Sequence, residues 1–385
     1  MSVRSITFLQ PNRLTFGPGC LAEALVYVAA LGSARVHIVY SAALTAVVED
    51  MQRKLADAGC TVSAARAPAG EPTIAAFNAA LSRARSADPT CIVGIGGGSA
   101  LDLAKLLAAF VRNEQRVEDT FGIGLLASRN CHLVCIPSTS GTGSEVSPNA
   151  ILLDEAAQLK KGVISPHLVA DAAFIDPLLT HSVPPDVTAY TGLDALTHCI
   201  EAYTNRFAHP LVDLYALEGI ALCARFLPRA VRNPDDAEAR EGMALASLYG
   251  GLCLGPVNTA AVHALAYPLG GEFHLPHGLS NAVLLPAVFR FNAESSPERH
   301  ADVARALGAA PQETPLETAF AGAAQLERLA RDCGVDTDLS RHGIDRSTIP
   351  HLAAAALTVQ RLLRNNPRDI TQADAEFIYA QCFRD

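Results

Sequence analysis

The sequence predicts two halves of different class, an α/β N-terminal domain on a parallel sheet and an all-α C-terminal domain. Three observations predict this. Short apolar runs alternate with helical stretches through the first half, and the runs close on turns rich in Gly, Ser and Thr. From about Thr180 the strands stop, and long Ala/Leu-rich stretches take over. The change of texture falls near Pro184-Pro185, a pair that cannot continue a helix, and divides the chain into residues 1–180 and 181–385.

The elements follow in order. Ser5–Leu9 reads as an N-terminal strand, which either closes its own sheet or pairs with a second copy. Val36–Tyr40 is a β-rich run, and Leu44 to Ala58 follows with helical spacing. Thr61–Ala64 is a second run, Ile74 to Ala87 a second helix, Cys91–Ile95 a third run and His132–Pro137 a fourth. Such alternation builds βαβ units, whose sheet is covered on both faces. Thr188–Asn205, Pro210–Val231, Ala237–Leu254 and Ala301–Leu307 are then helical.

Composition removes whole classes of function. Half of the 385 residues are hydrophobic and 18% charged, enough apolar material for a large core. The formal net charge is -9, the lysines are only Lys54, Lys105, Lys160 and Lys161, and no basic block appears, so nucleic acid is not an expected partner. No uncharged apolar run reaches the ~18 residues of a membrane span, and residues 1–10 lack the apolar region of a signal peptide. The 10 cysteines are scattered with no CxxC pair, which predicts reduced, buried thiols and a cytoplasmic protein.

Two loops carry the first chemistry. Gly94-Ile-Gly-Gly-Gly-Ser99-Ala-Leu-Asp102-Leu-Ala-Lys105 leaves a buried strand and opens a helix. Glycines admit a phosphate close to the backbone, and successive N–H groups with the helix N-terminus supply positive potential. Ser99 is placed to cap the helix and Asp102 to reach back to its first turn. Pro137-Ser138-Thr139-Ser140-Gly141-Thr142-Gly143-Ser144-Glu145 follows the next strand and offers hydroxyls suited to ribose and phosphate oxygens. Taken alone, the first loop has the alternative of an ordinary capped turn and the second that of a flexible surface loop. At the C-terminal ends of neighbouring parallel strands they mark the place where open α/β sheets bind nucleotides, so the first half reads as a Rossmann-like dinucleotide-binding domain.

The second chemistry lies on the helices. Asp194 and His198 are one turn apart on one helix face, a spacing that suits a shared cation or a surface hydrogen bond. His263, His274 and His277 then place three of the 12 histidines in an apolar stretch. Buried imidazoles need a hydrogen bond or a metal, and carboxylate with imidazole suits Fe(II) or Zn(II) better than Mg(II) or Ca(II).

In these residues the chain resembles the iron-containing, group III, alcohol dehydrogenases, which share the dehydroquinate synthase-like fold. The matching pieces are Phe16-Gly-Pro-Gly19, the GGGSxxDxAK run to Lys105 and Pro137 to Glu145. Pro184-Pro185, Thr191 to His198, His263-Ala-Leu-Ala, Pro276-His277-Gly278 and Asn366-Pro-Arg368 continue the pattern in family order. The resemblance implies an NAD- or NADP-dependent, metal-dependent alcohol dehydrogenase or aldehyde reductase of short-chain substrates. Its active site would lie between a dinucleotide domain and a helical metal domain, and a homodimer is expected. Asp194, His198, His263 and His277 would bind Fe(II) or alternatively Zn(II). Gly97, Gly98 and Ser99 would hold the pyrophosphate with Asp102 supporting their loop. Ser138, Thr139, Thr142 and Lys161 would line the nucleotide site, with Leu179 near the ribose.

Two positions depart from the family. Many members carry Asp at the position of Ser41, where its charge repels a ribose 2′-phosphate; Ser41 does not repel one, so NAD and NADP both remain open. Several carry His at the position of Tyr267 as a proton relay. A tyrosine, with its ordinary pKa near 10, shuttles protons less readily than a histidine. The relay is then Tyr267, water and the ribose hydroxyls, or His274, which is alternatively a helix-end residue bonded to backbone. Other readings are a metal-free maleylacetate-reductase type, a dehydroquinate-synthase-type lyase, and a nucleotide-binding protein without turnover. The full Asp194/His198/His263/His277 set argues against the first of these.

Overall fold

The computed structural model describes residues 4–32, 34–157 and 159–384. They form two compact units, Leu9–Thr139 with Gly143–His181, and residues 4–8 with Ser140–Thr142 and 182–384.

The first unit holds β1 (Arg13–Phe16), α1 (Leu21–Ala29), β2 (Arg35–Tyr40), α2 (Thr45–Asp57), β3 (Thr61–Arg66), α3 (Ile74–Ala87), β4 (Cys91–Gly96) and α4 (Gly98–Phe110). It continues with β5 (Gly122–Ile123), β6 (His132–Pro137), β7 (Asn149–Asp154), β8 (Leu159–Ile164) and β9 (Ala172–Ile175). Six strands make one parallel sheet in the order β1-β9-β6-β4-β2-β3. Helices cover both faces, which is why β4 is an unbroken apolar run buried at every position. The chain runs from β2 outward to β3 and returns to β4 on the other side of β2. The carboxyl ends of β2 and β4 therefore flank the reversal of strand order, where such sheets take ligands. β7 and β8 form an antiparallel hairpin, with β5 parallel to β8.

The second unit is helical, with α5 (Pro185–Tyr203), α6 (Pro210–Arg232), α7 (Ala237–Leu254), α8 (Ala261–Phe273), α9 (His277–Ala293) and α10 (Pro297–Ala306). It ends with α11 (Pro315–Asp332), α12 (Ile349–Ala356), α13 (Gln360–Leu363) and α14 (Gln372–Ala380). Pro184 and Pro185 do not interrupt a helix but start one, with Pro185 in the first turn of α5, where a missing N–H costs nothing. From Thr188 onward α5 is buried on nearly every side. Its close approach to α6 requires Gly192, since a Cβ there would meet Leu227 at 2.2 Å. No helix among the described residues is long and apolar enough to cross a membrane.

The expectation that Ser5–Leu9 closes the chain's own sheet is corrected. Among the described residues this stretch has no ladder partner and, through Phe8, joins the helical unit. Ile6 and Phe8 pack against the helical core, Phe8 beside Tyr215 at 6.0 Å, and the Arg4 carbonyl lies 3.2 Å from His209 Nε2. Within the chain, the alternation there sends Ile6 and Phe8 onto helices and not into its own sheet. As expected from their spacing, all 10 cysteines are free and buried. Burial pushes the Cys20 and Cys199 thiols up to about 12.

Candidate active site

In the α/β unit the two loops meet. β4 ends at Gly96 with φ +152, and a Cβ there would strike Ser41 Oγ at 2.2 Å, so only glycine fits this turn. The Gly97 N–H donates to Ser41 Oγ at 3.3 Å, and the Ser138 N–H donates to the Gly96 carbonyl at 2.9 Å. The Thr139 hydroxyl borders Gly97. Ser41, Gly97, Gly98, Ser99, Ser138 and Thr139 thus gather at the carboxyl ends of β2, β4 and β6. Gly97, Gly98, Ser99, Ser41 and Thr139 are half-buried in an otherwise buried neighbourhood. α4 starts there with no side-chain cap, leaving its first N–H groups for an anion.

Two expectations about this helix are corrected. Gly97, not Ser99, holds the cap position; Ser99 lies inside the first turn, past the point from which a hydroxyl reaches the next N–H groups. Asp102 does not reach back to the first turn. Its carboxylate accepts from Ser144 Oγ at 2.5 Å and from the Ile151 N–H at 2.9 Å, tying α4 to the second loop and to β7. Lys105, fully buried one turn on, strengthens this tie. Its ammonium donates to the carbonyls of Ser144 at 2.8 Å and Ser147 at 2.9 Å, and also to that of Asn149. Three carbonyl acceptors need three N–H donors, which only the charged form offers.

The remaining nucleotide candidates lie further out. Lys161 sits on β8, where its ammonium pairs with Asp154 at 2.6 Å and lies 5.5 Å from the Phe121 ring centre. Leu179 is buried in the turn after β9. Thr142 clusters with the helical unit.

In the helical unit one carboxylate oxygen organises three imidazoles. Asp194 Oδ1 lies 3.7 Å from His198 Nε2, 3.5 Å from His263 Nε2 and 3.6 Å from His277 Nε2. The ligand atoms of Asp194, His263 and His277 all fall within 4.8 Å of one another. Ligands held at ~2.1 Å around a tetrahedral ion stand roughly 3.4 Å apart, so this spacing fits one metal. α5 supplies Asp194 and His198 from one face, α8 supplies His263, and His277 begins α9. α9 comes close because residue 278 is glycine: a Cβ there would meet the Tyr190 carbonyl oxygen at 2.1 Å.

The electrostatics agree with a cation site. Burial opposes ionisation of Asp194, yet His198, His277 and His263 hold its carboxyl well below the usual range. Burial likewise opposes charge on His263, but Glu201 and Asp194 raise it to about 9. Burial lowers His198 despite Asp194 beside it. Asn281, one turn after His277, donates its amide to Asp194 Oδ1 at 2.7 Å, with His263 Nε2 at 3.2 Å and His277 Nε2 at 3.4 Å. Two amide hydrogens cannot serve three acceptors, whereas one cation can. The group of Asp194, His263 and His277 therefore fits a divalent transition metal, and His198, 3.7 Å from Asp194, falls outside that close group.

Glu201 and Asn281 were not singled out in the sequence. Glu201 Oε2 accepts from His263 Nδ1 at 2.5 Å, which fixes the proton on Nδ1 and turns the Nε2 lone pair toward Asp194. Its signal was the spacing, since Glu201 falls seven residues after Asp194, on the face that also carries His198. Asn281 had the same signal, four residues after His277. Tyr267 is buried on α8 one turn after His263. His274 is exposed at the end of α8 in the left-handed conformation, its N–H bonded to the Leu269 carbonyl, which supports its helix-end reading.

Comparison with known proteins completes the assignment. Residues 11–177 match the family model "Iron-containing alcohol dehydrogenase", and residues 188–383 match "Fe-containing alcohol dehydrogenase family, C-terminal". The chain is 38% identical to long-chain-alcohol dehydrogenase 1 of Geobacillus thermodenitrificans over all of its own length and 98% of that protein's. The crystal structure of a 1,3-propanediol oxidoreductase superposes with a TM-score of 0.94 at 32% identity, covering 99% of this chain and 100% of that one. The sulfoacetaldehyde reductase of Bifidobacterium kashiwanohense, solved with NAD+, gives 0.87 at 28% identity and covers 98% and 99%. Two glycine-turn loops on a parallel sheet, a carboxylate ringed by imidazoles on the helices, and these likenesses along the whole chain lead to one conclusion: the protein belongs to the iron-containing alcohol dehydrogenase family and is an oxidoreductase that interconverts alcohols and carbonyl compounds with a nicotinamide dinucleotide.

Proposed function

We propose that Asp194, His198, His263 and His277 hold one divalent ion, Fe(II) or alternatively Zn(II), and that the protein is a dehydrogenase of small alcohols and reductase of the matching aldehydes. The observation that carries this reading is the convergence of three Nε2 atoms on Asp194 Oδ1 at 3.5, 3.6 and 3.7 Å. When bound, the ion supplies positive charge that polarises the substrate oxygen. Glu201 keeps His263 in the ligating tautomer, and Asp194 supplies the negative charge that retains the cation. Gly97, Gly98 and Ser99 seat the pyrophosphate, with Asp102 and Lys105 fixing the neighbouring loop of Ser138 and Thr139. Ser41, Thr142, Lys161 and Leu179 complete the nucleotide site. Hydride passes between the carbinol carbon and nicotinamide C4, and the hydroxyl proton leaves separately. Tyr267, on the helix face of His263, carries that proton in preference to the exposed His274.

The mix of small and apolar residues in the sequence at Asn149, Leu254, Pro256 and Phe273 favours a small substrate that is not highly charged. The homodimer reading is supported by β1, an edge strand of the six-stranded sheet on which Leu14 and Phe16 are exposed. Ten buried free thiols favour a cytoplasmic setting. The test strips the metal with chelator, reloads anaerobically with Fe(II) or Zn(II), and follows reduction of short aldehydes with NADH and NADPH. Turnover that returns only with metal supports the reading. Turnover indifferent to metal removes the ion from the chemistry.

A further inference from the structure

The end of β2 is where the adenosine ribose of a dinucleotide lies in a sheet of this topology, and the groups there decide between a 2′-hydroxyl and a 2′-phosphate. Ser41 follows β2 directly, and its hydroxyl accepts from Gly97, the first residue of the pyrophosphate loop. Among the described residues no carboxylate is hydrogen-bonded to Ser41, Thr45 or Arg66. Beside Ser41, the parallel register of β2 and β3 sets Tyr40 opposite Arg66, the last residue of β3. The Arg66 guanidinium turns toward the start of α2: Nη2 donates to Thr45 Oγ1 at 3.2 Å, and Nε lies 3.4 Å from the Tyr40 hydroxyl. Both partners are neutral. Among the described residues Arg66 is paired with no carboxylate, unlike Arg35, which pairs with Asp88, and Arg129, which pairs with Asp171.

An exposed guanidinium held by two hydroxyls keeps its full charge and most of its donors for an anion. Thr45 opens α2, and its hydroxyl donates to the Ala42 carbonyl at 2.8 Å while accepting from Arg66, so it anchors the guanidinium beside Ser41. Ser41 and Arg66 together present one hydroxyl and one fork of N–H groups, the fork held in place by Thr45. This is the donor set of a phosphate monoester site and not of a ribose diol, which asks for an acceptor carboxylate.

We infer that Arg66, with Ser41 and Thr45, forms a seat for the ribose 2′-phosphate, so that this chain prefers NADP(H) to NAD(H). The inference rests on the dinucleotide site proposed above. It is tested by calorimetric titration of the full-length protein with 5′-AMP and with adenosine 2′,5′-bisphosphate, which differ only in the 2′-phosphate. Wild type should bind the bisphosphate at least about tenfold tighter, and the ratio of the two affinities should fall to near one in Arg66→Gln. Arg66→Lys should keep an intermediate ratio, and Ser41→Asp should push it below one. The ratio of kcat/KM for NADPH over NADH should follow the same order. Equal affinities in wild type, or a ratio that survives in Arg66→Gln, overturns this inference while leaving the dinucleotide site intact. Binding of neither nucleotide overturns both.

Discussion

His263 Nδ1 and the Val262 N–H both donate to Glu201, at 2.5 and 2.6 Å, one to each carboxylate oxygen. A single side chain on α5 thereby orients the imidazole of α8 and fixes the start of the helix that carries it. Glu201 bonds to His263 and the Val262 N–H, and through the first of these it sets which nitrogen of His263 is bare. Replacing such a partner typically weakens metal affinity ~10–100-fold. Glu201→Gln should show that loss in competition with a graded chelator, with the fold retained by circular dichroism. Unchanged metal affinity would remove Glu201 from the site.

Gly278 gives a second test. Alanine there would bring its Cβ to 2.1 Å from the Tyr190 carbonyl oxygen, backbone that cannot swing away. Gly278→Ala should cost about 2–3 kcal/mol in urea unfolding and displace His277, so metal content should fall with stability. A variant of full stability that lacks metal, or the reverse, would separate the two effects.

The proton path is tested by a pair of variants. Tyr267→Phe should lower kcat at least about tenfold and flatten the pH–rate profile, while metal content stays constant. His274→Ala should change kcat less than about twofold, because that residue is exposed at a helix end. The opposite ranking would assign the relay to His274.

Glu145 predicts a pH dependence of stability. Burial raises its carboxyl to about 7 from 4.5, in a neighbourhood where Lys105 is too weak a counterweight. Between those values the folded chain holds a proton that the unfolded chain has lost, so stability falls as pH rises from about 4.5 to 7, by up to about 1.4 kcal/mol per pH unit. Denaturant titrations across that range should show the slope in wild type and lose it in Glu145→Gln. A slope identical in the variant would mean that other groups carry it.

The sequence displayed its fold where one kind of pattern ruled. β4 is buried throughout and β2 and β6 in all but their end residues, so their apolar runs were readable, and α2, α3, α6 and α7 begin and end within a residue or two of their periodicity. β1 and β9 are only 4 residues long, too short for any period to show. β7 and β8 carry Asp154, Lys160 and Lys161 in a hairpin outside the main sheet, and charges hid it. Spacing alone placed Asp194 and His198 on one face, while bringing His263 and His277 to that face took tertiary packing that local patterns do not encode. Glu201 went unremarked because a helical glutamate normally faces water. The Lys105 clamp was hidden for the same reason: its acceptors are backbone carbonyls, to which side-chain identity gives no clue.

The buried cysteines have a practical consequence. Alkylating and disulfide reagents attack thiolates, and every thiol here lies inside the folded chain, several of them with burial holding the proton on well above neutral pH. The native protein should be nearly silent toward a chromogenic disulfide reagent, and each thiol that reacts reports an opening of the chain around it. Since Cys91 and Cys135 lie in the sheet and Cys199 and Cys223 in the helices, mapping labelled cysteines over time would clock the unfolding of the two units separately, with no probe engineered into either.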